Sequence, residues 1–256
     1  MNILETIIAQ KKLEITAQKR LGLLAFLGKT EHTTLSLKKA LTQSSTGIIA
    51  EFKRKSPSKG WIFPDADVKA ITTGYAKAGA TGLSILTDES FFGGSIADLK
   101  HARHVVKIPI LRKDFIVDPF QIDVAKAIGA DVILLIAAAL SKETCLLLAN
   151  KAHEAGLEVL LEIHEEAELE YINSNVDIVG INNRNLKTFV TDVETSFRLG
   201  DQIPDSFVKI SESGISDPQT VKDLREAGFR GFLMGETFMK NDQPEKALAQ
   251  FIASLT

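Results

Sequence analysis

A chain of 256 residues, 45% hydrophobic and 25% charged, is a globular protein with a substantial core, and at ~250 residues it matches one (β/α)8 barrel or two ordinary domains. A net charge of −3 and a pI near 6.0 exclude the basic stripe of a dedicated nucleic-acid binder, while a local basic cleft for a small anion stays open. The single cysteine, Cys145, excludes an intrachain disulfide framework and a cysteine-based zinc site, and fits a reducing cytoplasm.

The opening stretch, MNILETIIAQKKLEIT, lacks the layout of a signal peptide because Glu5 interrupts it. No apolar run approaches the ~20 residues a membrane span needs, and Val132–Leu140, the most hydrophobic stretch, is too short. A soluble cytoplasmic protein without membrane or nucleic-acid partners is expected. Residues 1–45 read as an amphipathic helix and a short second helix, an extension packed on the main domain of 46–256, with Thr42–Thr46 as connector.

From there one phrase recurs: a helical run ends in Ala-x-Gly or Ala-Gly, and an apolar strand-like run follows. It occurs at Gly79 before LSIL, Gly129 before VILLI, Gly156 before EVLLEI and Gly228 before GFLM. Glycine suits the left-handed position that ends a helix, and the runs that follow suit parallel strands covered on both faces. The glycine spacings are near multiples of a ~25-residue βα unit, which means a parallel α/β fold.

In chain order the strands fall at Ile48–Phe52, Gly82–Thr87, Ile110–Lys113, Val132–Ile136, Glu158–Ile163, Ile178–Asn182, Val208–Ser211 and Gly231–Met234. Asp67, Asp118-Pro119, Ser141 and Ser216-Asp217-Pro218 mark helix starts between them. The fold class is α/β, a single (β/α)8 TIM barrel with an N-terminal helical extension. A doubly wound open sheet is the alternative; the strand count and the lack of an early G-x-G-x-x-G tell against it.

Charge gathers at the C-terminal strand ends, the face where barrel active sites lie. Side chains two apart on a strand share a side, so IIAEFK turns Glu51 and Lys53 the same way. The later strands bring Lys113, Glu162, Asn182 with Arg184, and Glu212 with Ser213. Any one of these reads equally as a structural ion pair, because a buried charge must be paired. Five strands ending this way read as an active site.

Two lysines among carboxylates suit acid–base work on a carbon skeleton, and equally a Schiff base. Three loops suit phosphate: Ser213-Gly214-Ile215, Gly235-Glu236-Thr237, and Lys53 with Ser56–Gly60 across the barrel seam.

These segments together resemble the indole-3-glycerol-phosphate synthase family over nearly the whole chain. The resemblance rests on IIAEFKRKSPSKG, LSILTDESFFGGSIADL, PILRKDFIVDPFQI, GADVILLIAAAL, LLEIHEEAEL, IVGINNRNLKTF, KISESGI and FLMGETFM, in the family's order. It implies a carboxy-lyase of tryptophan biosynthesis that closes a ring, decarboxylates and dehydrates 1-(2-carboxyphenylamino)-1-deoxyribulose 5-phosphate.

By that resemblance Lys113 is the general acid at the ketone, and Lys53 and Glu162 serve the other proton transfers. Glu51 and Asn182 orient them, and Glu212 and Ser213 complete the polar ring. Arg184, with Lys53, holds the anthranilate carboxylate. Ser56, Gly214, Gly235 and the Glu236 amide meet the phosphate. Phe92, Phe115, Leu134, Ile136 and Leu186 form the slot for the aromatic ring.

No metal or organic cofactor is implied. A monomer acting on a small phosphorylated substrate is expected, with a transient tryptophan-pathway partner conceivable. The chain departs from the family at Asn185, where Asp usually follows the arginine, and at Glu236, where some members have Ser. A phosphosugar isomerase, a Schiff-base aldolase on the same barrel, or a non-catalytic phosphoribosyl-compound binder are the rival functions.

Other candidates have plain readings. His101 and His104 sit three apart on a solvated helix face, with no third ligand at matching spacing. His164 reads as a structural histidine beside the site, Cys145 as a small buried hydrophobe, Trp61 as loop packing near the mouth, and Lys59 either as a loop lysine that moves with substrate or as a merely exposed one.

Overall fold

The computed structural model describes residues 2–28, 32–186 and 188–255, so Met1 and residues 29–31 of the expected extension, and Lys187 and Thr256 of the main domain, lie outside the described residues. The barrel strands are β1 (Ile48–Phe52), β2 (Gly82–Leu86), β3 (Ile110–Lys113), β4 (Val132–Ile136), β5 (Glu158–Ile163), β6 (Ile178–Asn182), β7 (Val208–Glu212) and β8 (Gly231–Met234). They pair in parallel in sequential order, and β8 closes onto β1 through Ile48↔Phe232 and Ala50↔Met234. Closure leaves no edge strand, and all eight predicted strands appear with bounds within one residue.

β7 runs one residue further than expected because Asn182↔Glu212 extends its ladder with β6. The glycines of the recurring phrase take left-handed φ values of 98° at Gly79, 87° at Gly129, 70° at Gly156 and 88° at Gly228, as predicted.

Alternation along the strands sorts the side chains into two apolar regions. Outward residues such as Ile48, Ile85, Ile133, Leu161 and Val179 pack against the helices. Inward ones, including Ile49, Leu111, Val132, Leu160, Ile178, Ile210 and Leu233, form a separate interior cluster. Each such side chain contributes about 1.5–3 kcal/mol by leaving water. The bottom of the interior is plugged by Leu37 and Leu41 of a short helix, Leu37–Gln43, both fully buried. Above this apolar floor the charges of Glu51, Lys113, Glu162 and Glu212 gather at the C-terminal end.

Helices α1 (Ile3–Arg20), α2 (Leu23–Leu27) and α3 (Leu37–Gln43) precede the barrel, one more than expected. They are followed by α4 (Val68–Lys77), α5 (Ile96–Val105), α6 (Pro119–Ala127), α7 (Lys142–Glu154), α8 (Glu194–Gly200), α9 (Pro218–Glu226), α10 (Glu236–Met239) and α11 (Pro244–Ala253). Asp67, Asp118 and Ser141 cap α4, α6 and α7 as predicted, each accepting backbone N–H groups that a helix start leaves unpaired. Of the Ser216-Asp217-Pro218 signal it is Asp217 that caps α9, with Pro218 in its first turn.

Two features differ from a regular barrel. After β5 a 3-10 segment, Glu166–Tyr171, stands where an α-helix would, and after β1 the chain folds into a small antiparallel ribbon, Lys55–Ser56 with Gly60–Trp61. No helix among the described residues is long and apolar enough to cross a membrane.

Candidate active site

The charged strand ends converge. Lys113, last residue of β3, lies 2.7 Å from Glu162 and 3.3 Å from Glu212. Just past β1, Lys53 Nζ donates to Glu51 Oε1 at 2.6 Å, and Glu51 also accepts from the Ser84 hydroxyl on β2 at 3.3 Å. Glu51, Glu162 and Glu212 are all buried. Such charges persist only when paired, and here two ammonium groups serve three carboxylates.

That imbalance shifts Lys113, Glu162 and Glu212. Burial alone would lower Lys113, but the charges of Glu162, Glu212 and Glu51 raise it well above the usual lysine range. Burial would push Glu162 up, yet Lys113 and His164 hold it far below the carboxylate range. Burial pushes Glu212 up to about 8, where Glu162 and Glu51 offset the pull of Lys113. These shifts favour the ammonium form of Lys113 and the ionised form of Glu162, and they favour the neutral form of Glu212 beyond that of an ordinary carboxyl. One Glu212 oxygen, Oε1, has no hydrogen-bond partner among the described residues.

Above this layer lie the loops. Arg184 Nη1 donates to Ser58 Oγ at 2.8 Å, tying the loop after β6 to the ribbon after β1. Asn182 is not bonded to the lysines; its side-chain oxygen accepts the Arg184 amide at 3.0 Å and so orients that arginine. Ser213 and Gly214 have φ of 66° and 77°, consecutive left-handed residues that turn successive amides to one side. Gly235 follows β8 where a Cβ would lie 2.5 Å from Glu51 Oε1, so the bare backbone is what gives Glu51 its place. The Glu236 carboxylate reaches Lys59 at 3.6 Å and Arg184 at 3.9 Å, so its side chain pairs with cations of the mouth.

The apolar side is formed by Phe92 and Phe115, with ring centroids 6.0 Å apart, over Leu134, Ile136 and Leu186. Every residue singled out in the sequence as catalytic or substrate-binding lines this one cavity of about 500 Å³, which is in the range of small-molecule sites.

The sequence did not point to Ile3, Leu4 and Ile7 of α1, which also line the cavity; their helical spacing read as ordinary amphipathicity. Also missed was Gly180 on β6, where a Cβ would lie 2.4 Å from Glu212 Oε1. Asn185, the departure from the family pattern, accepts the Thr188 amide at 3.0 Å through its side-chain oxygen and caps its own turn.

His164, read as a structural histidine beside the site, lies 3.3 Å from Glu162 and 3.5 Å from Glu168. Burial would lower it, but its contacts with these two carboxylates carry it up to about 9. His101 and His104 lie on the exposed face of α5. Cys145 is buried, and that burial pushes its thiol up to about 11. Trp61 is 58% exposed and packs beside Gly93. Lys59 is exposed.

Comparison with known proteins gives three kinds of match. The family model described as indole-3-glycerol phosphate synthase matches residues 4–251. An indole-3-glycerol phosphate synthase of Bacteroides thetaiotaomicron is 56% identical over 257 residues, covering 99% of each chain. That of Koribacter versatilis is 43% identical, covering 87% of each. Among solved structures, 3-hexulose-6-phosphate synthase from Salmonella typhimurium superimposes with a TM-score of 0.62 at 14% identity, covering 82% of this chain and all of that one. The α subunit of tryptophan synthase from Legionella pneumophila gives 0.61 at 14% identity, covering 86% and 96%. At such identity these last two carry the fold alone.

Proposed function

Because the chain belongs to the indole-3-glycerol phosphate synthase family, we propose that its cavity performs that family's reaction with Lys113 as the acid of ring closure. The reaction converts 1-(2-carboxyphenylamino)-1-deoxyribulose 5-phosphate to indole-3-glycerol phosphate, carbon dioxide and water. The ring carbon that bears the carboxylate attacks the ketone carbon, and the carbonyl electron pair becomes an oxyanion that takes a proton from Lys113. The bond to the carboxylate then breaks, its electrons restore the aromatic ring, and carbon dioxide leaves. The new hydroxyl departs as water after a second protonation, and the carbon beside nitrogen gives up a proton.

The observation that carries this reading is Lys113 held between Glu162 at 2.7 Å and Glu212 at 3.3 Å. An ammonium fixed there before reaction is worth most when negative charge develops on the ketone oxygen. Lys53, paired with Glu51, serves the second protonation, and ionised Glu162 accepts the carbon-bound proton. Arg184, oriented by Asn182, takes the substrate carboxylate, while Phe92, Phe115, Leu134, Ile136 and Leu186 hold the ring. Phosphate sits on Ser56 and the backbone of Gly214, Gly235 and Glu236, with Ser213 completing the polar rim.

A Schiff-base aldolase needs a neutral amine as nucleophile, and three carboxylates work against that at Lys113. Every group named comes from one chain, so the reading requires only a monomer, working in the cytoplasm. The test is to supply the substrate and follow indole fluorescence. Absence of indole product from folded, substrate-binding protein refutes the assignment, as does borohydride trapping of Lys53 or Lys113 on a keto-phosphate.

A further inference from the structure

Helix α1 buries one face at positions four apart, Ile7, Lys11 and Ile15. A lysine in the middle of an apolar stripe is out of place by periodicity, and Lys11 is only 4% exposed. Its ammonium lies 2.7 Å from Asp88, 3.1 Å from Asp114 and 2.8 Å from Glu14.

The two aspartates belong to different loops and each organises an aromatic turn. Asp88, just past β2, accepts the Phe91 amide at 2.8 Å, and its carbonyl accepts Gly94 N–H at 2.8 Å, which closes the turn around Phe92. Asp114, next to Lys113, accepts the Phe115 amide at 2.8 Å through the same oxygen that faces Lys11. Its other oxygen is held by Thr87 at 2.6 Å and Arg112 at 2.8 Å. One buried ammonium thus joins the turns that carry both rings of the Phe92–Phe115 pair.

Stability alone does not call for this arrangement, since apolar side chains of similar volume often replace buried ion pairs without loss. We propose that Lys11 is a positioning residue: it sets the separation of the Phe92 and Phe115 turns, and with it the width of the slot for the substrate's aromatic ring. The proposal rests on the reading of that pair as the ring slot. It makes α1 part of the specificity apparatus through a group that never touches substrate.

The test uses the full chain carrying Lys11→Met. 2-Aminobenzoate, titrated by its own fluorescence, probes the slot, and inorganic phosphate probes the opposite side of the cavity. The expected result is a rise of about tenfold in the aminobenzoate Kd and in KM, because misplacement by an ångström is enough for such a loss. kcat should fall less than KM rises, and phosphate binding should be unchanged. If Lys11→Met fails to fold, Lys11→Met combined with Asp88→Asn removes a buried charge left behind, and the same weakening is expected. Parent values of Kd and KM in a folded variant of either kind overturn the proposal. Phe115→Ala separates the two ideas. If it leaves aminobenzoate binding intact, the ring slot is misassigned; if it weakens binding while the Lys11 variants do not, only the positioning role fails.

Discussion

Lys113→Ala removes the one group whose setting carries the proposed mechanism. A positioned general acid contributes about 10²–10⁴-fold, and a preorganised donor at a developing oxyanion about 10²–10³-fold. Both effects act through a single ammonium and overlap, so kcat should fall by about 10³–10⁵, or about 4–7 kcal/mol at 1.36 kcal/mol per tenfold. The variant also leaves Glu162 and Glu212, 2% and 1% exposed, without the ammonium between them and with only His164 beside Glu162. Breaking a buried pair this way costs about 3–5 kcal/mol, less where a proton replaces the lost ammonium, so the drop in Tm should be smaller at pH 6 than at pH 9. The phosphate groups lie on other strands, and the Kd for inorganic phosphate should change by less than about threefold, as for independent sites. The assay is single-turnover indole fluorescence, with circular dichroism to establish folding. A folded Lys113→Ala protein that keeps more than about a tenth of kcat would refute the acid role, since a general acid is worth at least about 10²-fold.

Other outcomes follow from the same geometry. Gly235→Ala places a methyl 2.5 Å from Glu51 Oε1; kcat should fall about 10- to 100-fold as Glu51 turns away from Lys53, measured by steady-state kinetics. Glu236→Ser removes the anion paired with Lys59 and Arg184, so KM should fall about two- to fivefold at low salt and less at high salt. Glu212 is raised from 4.5 to about 8, so its contribution to stability is complete below pH 4.5 and lost as pH rises through 8. Glu212→Gln should flatten the urea-unfolding free energy across that window, against a parent slope of up to about 1.4 kcal/mol per pH unit. His164, raised from 6.5 to about 9, contributes stability that is lost as pH rises through 9, and His164→Gln should remove that part of the slope.

Much of this molecule was legible because its signals are local. Gly79, Gly129, Gly156 and Gly228 end helices in the left-handed region wherever they occur, and Asp118-Pro119 starts one whatever surrounds it. Alternation alone put Glu51 and Lys53 on one side of β1. Where local rules were silent, expectation and structure parted. The ribbon Lys55–Ser56 with Gly60–Trp61 read as open loop, and the 3-10 segment after β5 had no distinguishing pattern. The partners of His164 were equally silent, since nothing in the order of residues shows Glu168 returning to it at 3.5 Å.

By itself the sequence determined the barrel, its strands, the family and the charged groups gathered at the strand ends, because these depend on periodicity, turn chemistry and motifs contiguous in the chain. Only the tertiary structure decided which charges pair. Lys113 joins Glu162 and Glu212, 49 residues distant in the first case, while Lys53 keeps to its neighbour Glu51. It likewise decided that Lys11 reaches across to Asp88 and Asp114. The reason is physical: protonation states and ion-pair partners depend on distance and burial in three dimensions, and closing the barrel is what creates both.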